Sequence, residues 1–114
     1  MLLEDDRDIR ESTKLLLETE GYVIIAPKNI PSVEEIAAAG PSLILLDIWL
    51  GQTDGSELGK AIKQHKGLEN VPLLVISAAR DIVEITAAVS ADGFIVKPYE
   101  METLISAVRS HLKN

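Results

Sequence analysis

The chain contains no cysteine. Disulfide frameworks and thiolate chemistry are therefore excluded, and the composition fits a reducing compartment, so we expect a cytoplasmic protein. Aromatic residues make up only 4% of the 114 residues, whereas hydrophobic residues make up 46%. We therefore expect a packed core that is built almost wholly from leucine, isoleucine, valine and alanine.

An excess of positive charge and long apolar runs are also missing. The formal net charge is −7, and the 11 basic residues are scattered along the chain. Because phosphate backbones attract clusters of lysine and arginine, we expect no nucleic-acid binding by this domain. No apolar run approaches the ~20 residues that a helix needs to cross a bilayer, and the first residues do not have the pattern of a secretory signal. We therefore expect no membrane association.

Short apolar runs alternate with amphipathic segments along the whole chain. The apolar runs predict strands at Met1–Leu3, Val23–Ala26, Leu43–Asp47, Leu73–Ser77 and Phe94–Lys97. The amphipathic segments predict helices at Asp8–Glu20, Ser32–Ala39, Ser56–His65, Ile82–Ser90 and Met101–Lys113. Strict alternation of strands and helices is typical of a parallel sheet that is covered on both faces. We expect one α/β domain over residues 1–114, with a doubly wound five-stranded parallel sheet of order 2-1-3-4-5 flanked by five helices, the flavodoxin-like arrangement.

Charged side chains follow three of these predicted strands. Glu4 and Asp5 follow the first apolar run, and Asp47 ends the third. Lys97 ends the last. Because the carboxyl ends of parallel strands lie at one edge of a sheet, we expect these side chains to meet where the winding direction of the sheet switches.

Such an arrangement suits a metal ion and a phosphoryl group. Three crowded carboxylates are unfavourable unless a cation neutralises them, and Mg²⁺ prefers oxygen ligands of this kind. An aspartate carboxylate such as Asp47 is also a nucleophile for phosphorus and forms an acyl phosphate. Lys97 supplies a point charge for the transferred group, and Ser77, at the end of a predicted strand, supplies a hydroxyl donor. The residues therefore predict phosphoryl transfer by positioning and charge neutralisation.

Five short motifs occur in order along the chain. They are Glu4-Asp5-Asp6, Leu45-Leu46-Asp47, Asp54-Gly55, Ile76-Ser77-Ala78 and Val96-Lys97-Pro98. In this order, and over essentially the whole chain, they resemble the receiver domain of bacterial two-component response regulators. The resemblance implies a phosphorelay signalling module that catalyses only its own phosphorylation and slow dephosphorylation and is not otherwise an enzyme.

The resemblance also implies a role for each acidic residue. Asp47 would accept a phosphoryl group from a sensor histidine kinase or a histidine phosphotransfer protein. Mg²⁺ would be bound by Asp5, by Asp47, by the backbone carbonyl of Trp49, and by Glu4 through a water molecule. Trp49 and Ala79 also occupy two positions that tune self-dephosphorylation in the family. Because neither side chain can orient an attacking water, we expect a long-lived phosphorylated state.

The remaining implied roles concern a conformational switch. Ser77 and Lys97 would bind the phosphoryl oxygens, and the Lys97–Pro98 peptide bond would be cis. Phe94 would be the aromatic residue whose ring turns inward as Ser77 moves toward the phosphate. Such a two-state change would control an unknown output domain or partner protein.

Two other functions are consistent with parts of the same pattern. A phosphatase of the haloacid-dehalogenase type also uses an aspartate nucleophile and Mg²⁺, but it needs a second aspartate where this chain has Trp49. A receiver that binds proteins without being phosphorylated would not need the intact set of acids, hydroxyl and lysine. Asp6 is interpreted as a helix cap, and the two histidines, His65 and His111, as surface residues.

Overall fold

The computed structural model describes residues 1–50 and 53–112. In chain order, this part of the chain forms β1 (Leu2–Leu3), α1 (Arg7–Thr19), α2 (Val33–Ala39), β2 (Ile44–Asp47), β3 (Trp49–Leu50), β4 (Thr53–Asp54), α3 (Ser56–Gln64), β5 (Leu73–Ser77), α4 (Ile82–Val89), β6 (Gly93–Val96) and α5 (Met101–His111). Strands β1, β2, β5 and β6 form a parallel sheet in that order, and β3 and β4 form a separate antiparallel pair. None of the helices in this part has the length and apolar character that crossing a membrane requires.

The parallel sheet with helices between its strands is confirmed, but the predicted order of five strands is not. Four predicted strands and all five predicted helices are present, with ends within about two residues of those predicted. The predicted strand Val23–Ala26 is absent among the described residues, which leaves a four-stranded sheet. The last helix ends at His111, and the predicted helical residue Lys113 lies outside the described residues.

The segment of residues 22–26 lies beside β1 without forming a strand. Tyr22, Ile24 and Ala26 pack against the core, whereas Val23 is 94% exposed, so side chains alternate as they would in a strand. The backbone is joined to β1 by a hydrogen bond from Leu2 N to Ile25 O at 2.8 Å. Because β1 is only two residues long, it offers too short an edge for a regular ladder.

Two apolar layers enclose the sheet. On one face, Leu2, Leu45, Leu74 and Ile95 pack with α1 and α5 through Leu17, Leu104 and Val108. On the other face, Leu3, Ile44, Leu46 and Leu73 pack with α2, α3 and α4 through Ile36, Ile62 and Val89. Successive residues of a strand point to opposite faces, so strands that are buried on both faces must be apolar at every position. This explains the continuous aliphatic runs of β2 and β5.

Side-chain caps define the starts of two helices. The carboxylate of Asp6 accepts a hydrogen bond from Ile9 N at 3.0 Å and caps α1, as predicted. Ser32 and Glu35 form a capping box at the start of α2, which ends at Gly40 with φ +63°. The cap at Asp6 matters most for function, because it ends the loop that carries the first two acids.

Candidate functional site

Strand register brings the predicted site residues to one edge of the sheet. Leu3 of β1 pairs with Leu46 of β2, so Glu4 and Asp47, the residues that follow them, are neighbours. Ser77 of β5 pairs with Val96 of β6, and Lys97 follows directly. The carboxyl ends of all four strands therefore lie along one edge of the sheet.

Three carboxylates converge at this edge. Glu4, Asp5 and Asp47 each offer a carboxylate oxygen, and these oxygens all lie within 4.8 Å of one another. Glu4 is 3% exposed and Asp47 is 4% exposed, whereas Asp5 is open to solvent. A set of hard oxygen donors with excess negative charge and one open side fits a divalent cation such as Mg²⁺, which keeps several of its own waters.

Lys97 bridges the two buried acids. Its Nζ atom lies 3.1 Å from Glu4 Oε1 and 2.5 Å from Asp47 Oδ2. The other oxygen of Asp47 accepts a hydrogen bond from Trp49 N at 3.0 Å. The Lys97–Pro98 peptide bond is cis, as the resemblance implied. The cluster therefore contains three carboxylates and one ammonium, which contacts two of them, and negative charge is in excess.

Burial and crowding shift the ionisation of this group. Burial, together with the nearby carboxylate of Asp47, raises the pKa of Glu4 to about 7, although Lys97 partly opposes the shift. Burial alone would lower the pKa of Lys97, but its hydrogen bonds and ion pairs with Asp47 and Glu4 outweigh that effect and raise it. Lys97 therefore stays charged at neutral pH, whereas the carboxyl group of Glu4 titrates near neutral pH.

Ser77 lies on β5, the strand next to β2, and Phe94 lies on β6, the strand beyond it. Ser77 is buried at the end of β5, and its Oγ accepts a hydrogen bond from Ala79 N at 3.0 Å. Phe94 of β6 pairs with Val75 of β5, and its side chain is 42% exposed. Among the described residues, the Ser77 hydroxyl donates to no acceptor, so its hydrogen can donate to a group that arrives at the edge.

A hairpin that the sequence analysis did not predict follows Asp47. Strands β3 and β4 pair Trp49 with Asp54, and the carboxylate of Asp54 accepts a hydrogen bond from Ser56 N at 2.8 Å at the start of α3. Gly55 N donates to Ile48 O, and a Cβ atom at Gly55 would lie 2.8 Å from Asp47 O. The Asp54-Gly55 motif therefore lets the chain pass directly against the backbone that carries Asp47.

Two residues of α1 were missed as part of the site's surroundings. Arg10 is 9% exposed and donates from Nη1 to the carbonyl oxygens of Glu4 and Asp5, and Thr13 is also buried. A signal for them existed, because residues 10, 13 and 17 have the spacing of one helix face and Leu17 is a core residue. His65 and His111 lie outside the acid cluster.

Comparisons with known proteins agree with this picture. A family model described as the response regulator receiver domain matches residues 1–109. The transcriptional regulatory protein CseB of Streptomyces coelicolor is 31% identical over 99% of this chain and 48% of its own length. The response regulator ArlR of Staphylococcus saprophyticus is 31% identical over 99% of this chain and 51% of its own length. This chain thus spans about half the length of these curated relatives.

A solved structure shows the same architecture. The receiver domain of NtrX from Brucella abortus is similar with a TM-score of 0.80 and 28% identity, covering 97% of this chain and 95% of that one. Fold, sequence and family model therefore agree over almost the whole chain. The chain belongs to the response regulator receiver domain family of two-component signal transduction.

Proposed function

We propose that this domain accepts a phosphoryl group on Asp47, with Mg²⁺ bound by Asp5, Asp47, the backbone carbonyl of Trp49 and, through a water molecule, Glu4. The observation that carries the proposal is the convergence of three carboxylates within 4.8 Å, with the amine of Lys97 against two of them. A purely structural ion pair would balance its charges, whereas this cluster has carboxylates in excess. The excess is what a divalent cation and a phosphoryl group would use.

The residues of the site divide the work of the transfer. Bound Mg²⁺ would neutralise the phosphoryl oxygens during the reaction. A carboxylate oxygen of Asp47 attacks phosphorus, so that an O–P bond forms as the P–N bond of a donor phosphohistidine breaks. Lys97 already donates to Asp47 Oδ2, and it can donate to a phosphoryl oxygen at the same place. Trp49 N holds the other oxygen of the nucleophile.

The phosphoryl group would then bias a two-state change. Asp47 pairs with Ile76, so Ser77, the next residue of β5, lies at the same edge of the sheet. The Ser77 hydroxyl can donate to a phosphoryl oxygen there. The half-exposed ring of Phe94 would turn inward as Ser77 moves. The domain would act as a regulator whose catalysis is limited to its own phosphorylation and slow dephosphorylation.

The partners follow from the same chemistry. The donor would be a cytoplasmic sensor histidine kinase or histidine phosphotransfer protein, and residues 1–114 would form the single receiver domain that it meets. CseB is named a transcriptional regulatory protein, and this chain spans about half of its length. An output region that controls transcription is therefore the first candidate for what the switch controls.

Phosphorylation by a small-molecule donor tests the proposal. With acetyl phosphate and Mg²⁺, we expect one hydroxylamine-labile phosphoryl group, which disappears in Asp47→Asn and on removal of Mg²⁺. The matched control is Asp81→Asn, because Asp81 is exposed and makes no side-chain cap to α4. A chain that takes no phosphate, or one that is labelled equally in Asp47→Asn, would refute the proposal.

The same experiment separates the alternatives. Steady hydrolysis of a general phosphatase substrate would indicate an enzyme of the haloacid-dehalogenase type. Absence of both phosphate and Mg²⁺ binding would indicate a module that binds proteins without being phosphorylated.

A further inference from the structure

Buried polar side chains are few in this domain, and their distribution is uneven. In the part of the chain whose side chains the structure describes, five are buried: Glu4, Arg10, Thr13, Asp47 and Ser77. Three of them belong to the proposed site. The other two, Arg10 and Thr13, both lie on α1, one turn apart on its buried face. Burying such groups is unfavourable unless they are hydrogen-bonded, so the partners that satisfy them are informative.

The partners of Arg10 are the main-chain carbonyls of the two proposed metal-binding acids. Nη1 donates to Glu4 O at 3.1 Å and to Asp5 O at 3.4 Å. The loop between β1 and α1 has no ladder of its own, because β1 ends at Leu3 and α1 begins at Arg7. A planar guanidinium that bonds two consecutive carbonyls fixes the path of this loop and therefore the direction of both carboxylates.

The partner of Thr13 lies on the loop that carries the lysine. The hydroxyls of Thr13 and Tyr99 share a hydrogen bond of 3.1 Å between residues that are 86 positions apart. Tyr99 is two residues after Lys97, across the Lys97–Pro98 bond. The contact therefore ties the loop after β6 to the same helix face that holds the acid loop.

We propose that Arg10 and Thr13 are positioning residues, which make α1 the common support of the metal-binding loop and the lysine loop. Arg10 orients Glu4 and Asp5 for the cation, and Thr13, through Tyr99, orients Lys97 for the phosphoryl group. This inference rests on the proposed function. Neither residue touches the reacting atoms, so each acts through the residues that it holds.

The sign of the effect of Arg10 on Mg²⁺ separates positioning from simple charge. A guanidinium near a cation site repels the cation, so removal of the charge alone would tighten Mg²⁺ binding. Loss of orientation would weaken it, and loss of a residue that orients metal ligands typically costs about 10- to 100-fold in affinity. The two explanations therefore predict opposite changes.

Arg10→Met tests the first half of the proposal. Its Mg²⁺ dissociation constant, measured by calorimetry and by Trp49 fluorescence, is expected to rise about tenfold, and phosphorylation by acetyl phosphate should recover at saturating Mg²⁺. Arg10→Lys keeps one charged donor and should recover part of the affinity. Arg7→Met is the matched control, because Arg7 lies on the same helix but is exposed and pairs with Glu11.

Thr13→Val and Tyr99→Phe test the second half. Each removes one hydroxyl and leaves nearly the same shape. We expect Mg²⁺ affinity to stay unchanged while the phosphorylation rate at saturating Mg²⁺ falls about tenfold. Because the two hydroxyls form one bond, the double variant should be no slower than either single variant. Thr19→Val is the control, since Thr19 lies exposed on the same helix.

The outcomes are decisive in each direction. Wild-type protein that neither binds Mg²⁺ nor takes phosphate contradicts the proposed function itself. If the wild type does both, unchanged or tighter Mg²⁺ binding by Arg10→Met overturns the role of Arg10. Should Arg10→Met not fold, the same result with Arg10→Lys overturns it. The role of Thr13 is overturned if Thr13→Val and Tyr99→Phe are phosphorylated at the wild-type rate. It is also overturned if both variants lose phosphorylation rate and Mg²⁺ affinity together.

Discussion

Two partly buried lysines at opposite ends of the sheet show how differently one residue type can be used. Lys97, whose side chain is 22% exposed, follows β6 at the carboxyl edge and faces Glu4 and Asp47. Lys63, whose side chain is 11% exposed, lies on α3 and reaches Asp92, just before the start of β6, at 3.0 Å. Both amines are tied to carboxylates, so proximity alone does not distinguish them.

The distinction lies in the charge balance. Besides Asp92, Lys63 donates to the carbonyl oxygens of Glu69 and Val71 at 3.1 and 3.0 Å. Asp92 Oδ2 in turn accepts from Leu73 N at 2.8 Å. One cation therefore meets one anion and two neutral acceptors, and the group needs nothing more. Around Lys97, by contrast, carboxylates outnumber the amine, which makes the group receptive to a further cation. Burial, together with the carboxylate of Asp47, also raises the pKa of Glu4.

Replacing each lysine in turn is the strongest way to break this comparison. We expect Lys97→Met to slow phosphorylation of Asp47 by acetyl phosphate about 100- to 1000-fold, because a fixed charge next to the transferred group is lost. Lys63→Met should leave the rate unchanged at saturating Mg²⁺. The measurement is the rate of phosphate incorporation in both variants and the wild type.

The control for this pair is thermodynamic. Lys63→Met leaves two carbonyls and Asp92 without their shared donor, so its free energy of unfolding in urea should fall by about 1–3 kcal/mol whether or not Mg²⁺ is present. A Lys63 variant that phosphorylates as slowly as the Lys97 variant, although folded, would remove the distinction between the two lysines.

The pH dependence of Mg²⁺ binding tests the excess of carboxylates around Lys97. Because the pKa of Glu4 is raised from its ordinary 4.5 to about 7, its proton must leave before the carboxylate can attract the cation. Mg²⁺ binding should therefore be about tenfold weaker at pH 6 than at pH 8. The measurement is the dissociation constant across this range, and Glu4→Gln should flatten the profile while Asp92→Asn leaves it intact.

Stability without Mg²⁺ should change in the opposite direction with pH. The folded protein holds the proton of Glu4 more tightly than the unfolded chain does. Its contribution to stability is therefore complete below pH 4.5 and is lost as the pH rises through about 7. Urea unfolding with a chelator present measures this slope. Equal slopes in the wild type and Glu4→Gln would show that Glu4 is not the titrating group.

The smallest expected effect concerns the lifetime of the phosphate. The backbone N–H groups of Trp49 and Ala79 donate to Asp47 and Ser77, and neither side chain can orient an attacking water by a hydrogen bond. We expect Ala79→Glu to speed the decay of phosphorylated Asp47 several-fold, because a carboxylate can hold that water by a hydrogen bond. Decay is followed after the phosphodonor is removed, and equal or slower decay in the variant would contradict the expected long lifetime.

The hydrophobic pattern of a segment predicted a strand correctly only where a neighbouring strand was available for pairing. Leu73–Ser77 has the predicted bounds because an apolar run with neighbours on both sides is buried on both faces. Val23–Ala26 carries a similar local signal and even alternates its side chains, yet β1 beside it is too short for a ladder. Strand propensity shows that a segment fits a pleated sheet, but a regular strand forms only where a neighbouring strand is long enough to pair with it.

The site divides in the same way. That Glu4, Asp5, Asp47 and Lys97 lie near one another follows from parallel strands, whose carboxyl ends share an edge. Lys97 contacts Glu4 as well as Asp47, and Glu4 is buried whereas Asp5 is exposed. These features depend on side-chain directions, which the spacing of residues in the sequence does not encode. The hairpin after Asp47 and the bonds of Arg10 and Thr13 were missed for the same reason.

The amino-acid sequence by itself determined the order of the five helices and of the four strands of the parallel sheet, the burial of that sheet on both faces and the end of the sheet at which charge collects. These properties depend on hydrophobic periodicity and on the parallel alternation of elements, which are local and repeat along the chain. Only the tertiary structure decided which carboxylates share Lys97, how exposed each acid is and which segment joins the sheet. Those outcomes depend on contacts between residues up to 93 positions apart, and their energies arise only when the chain is packed.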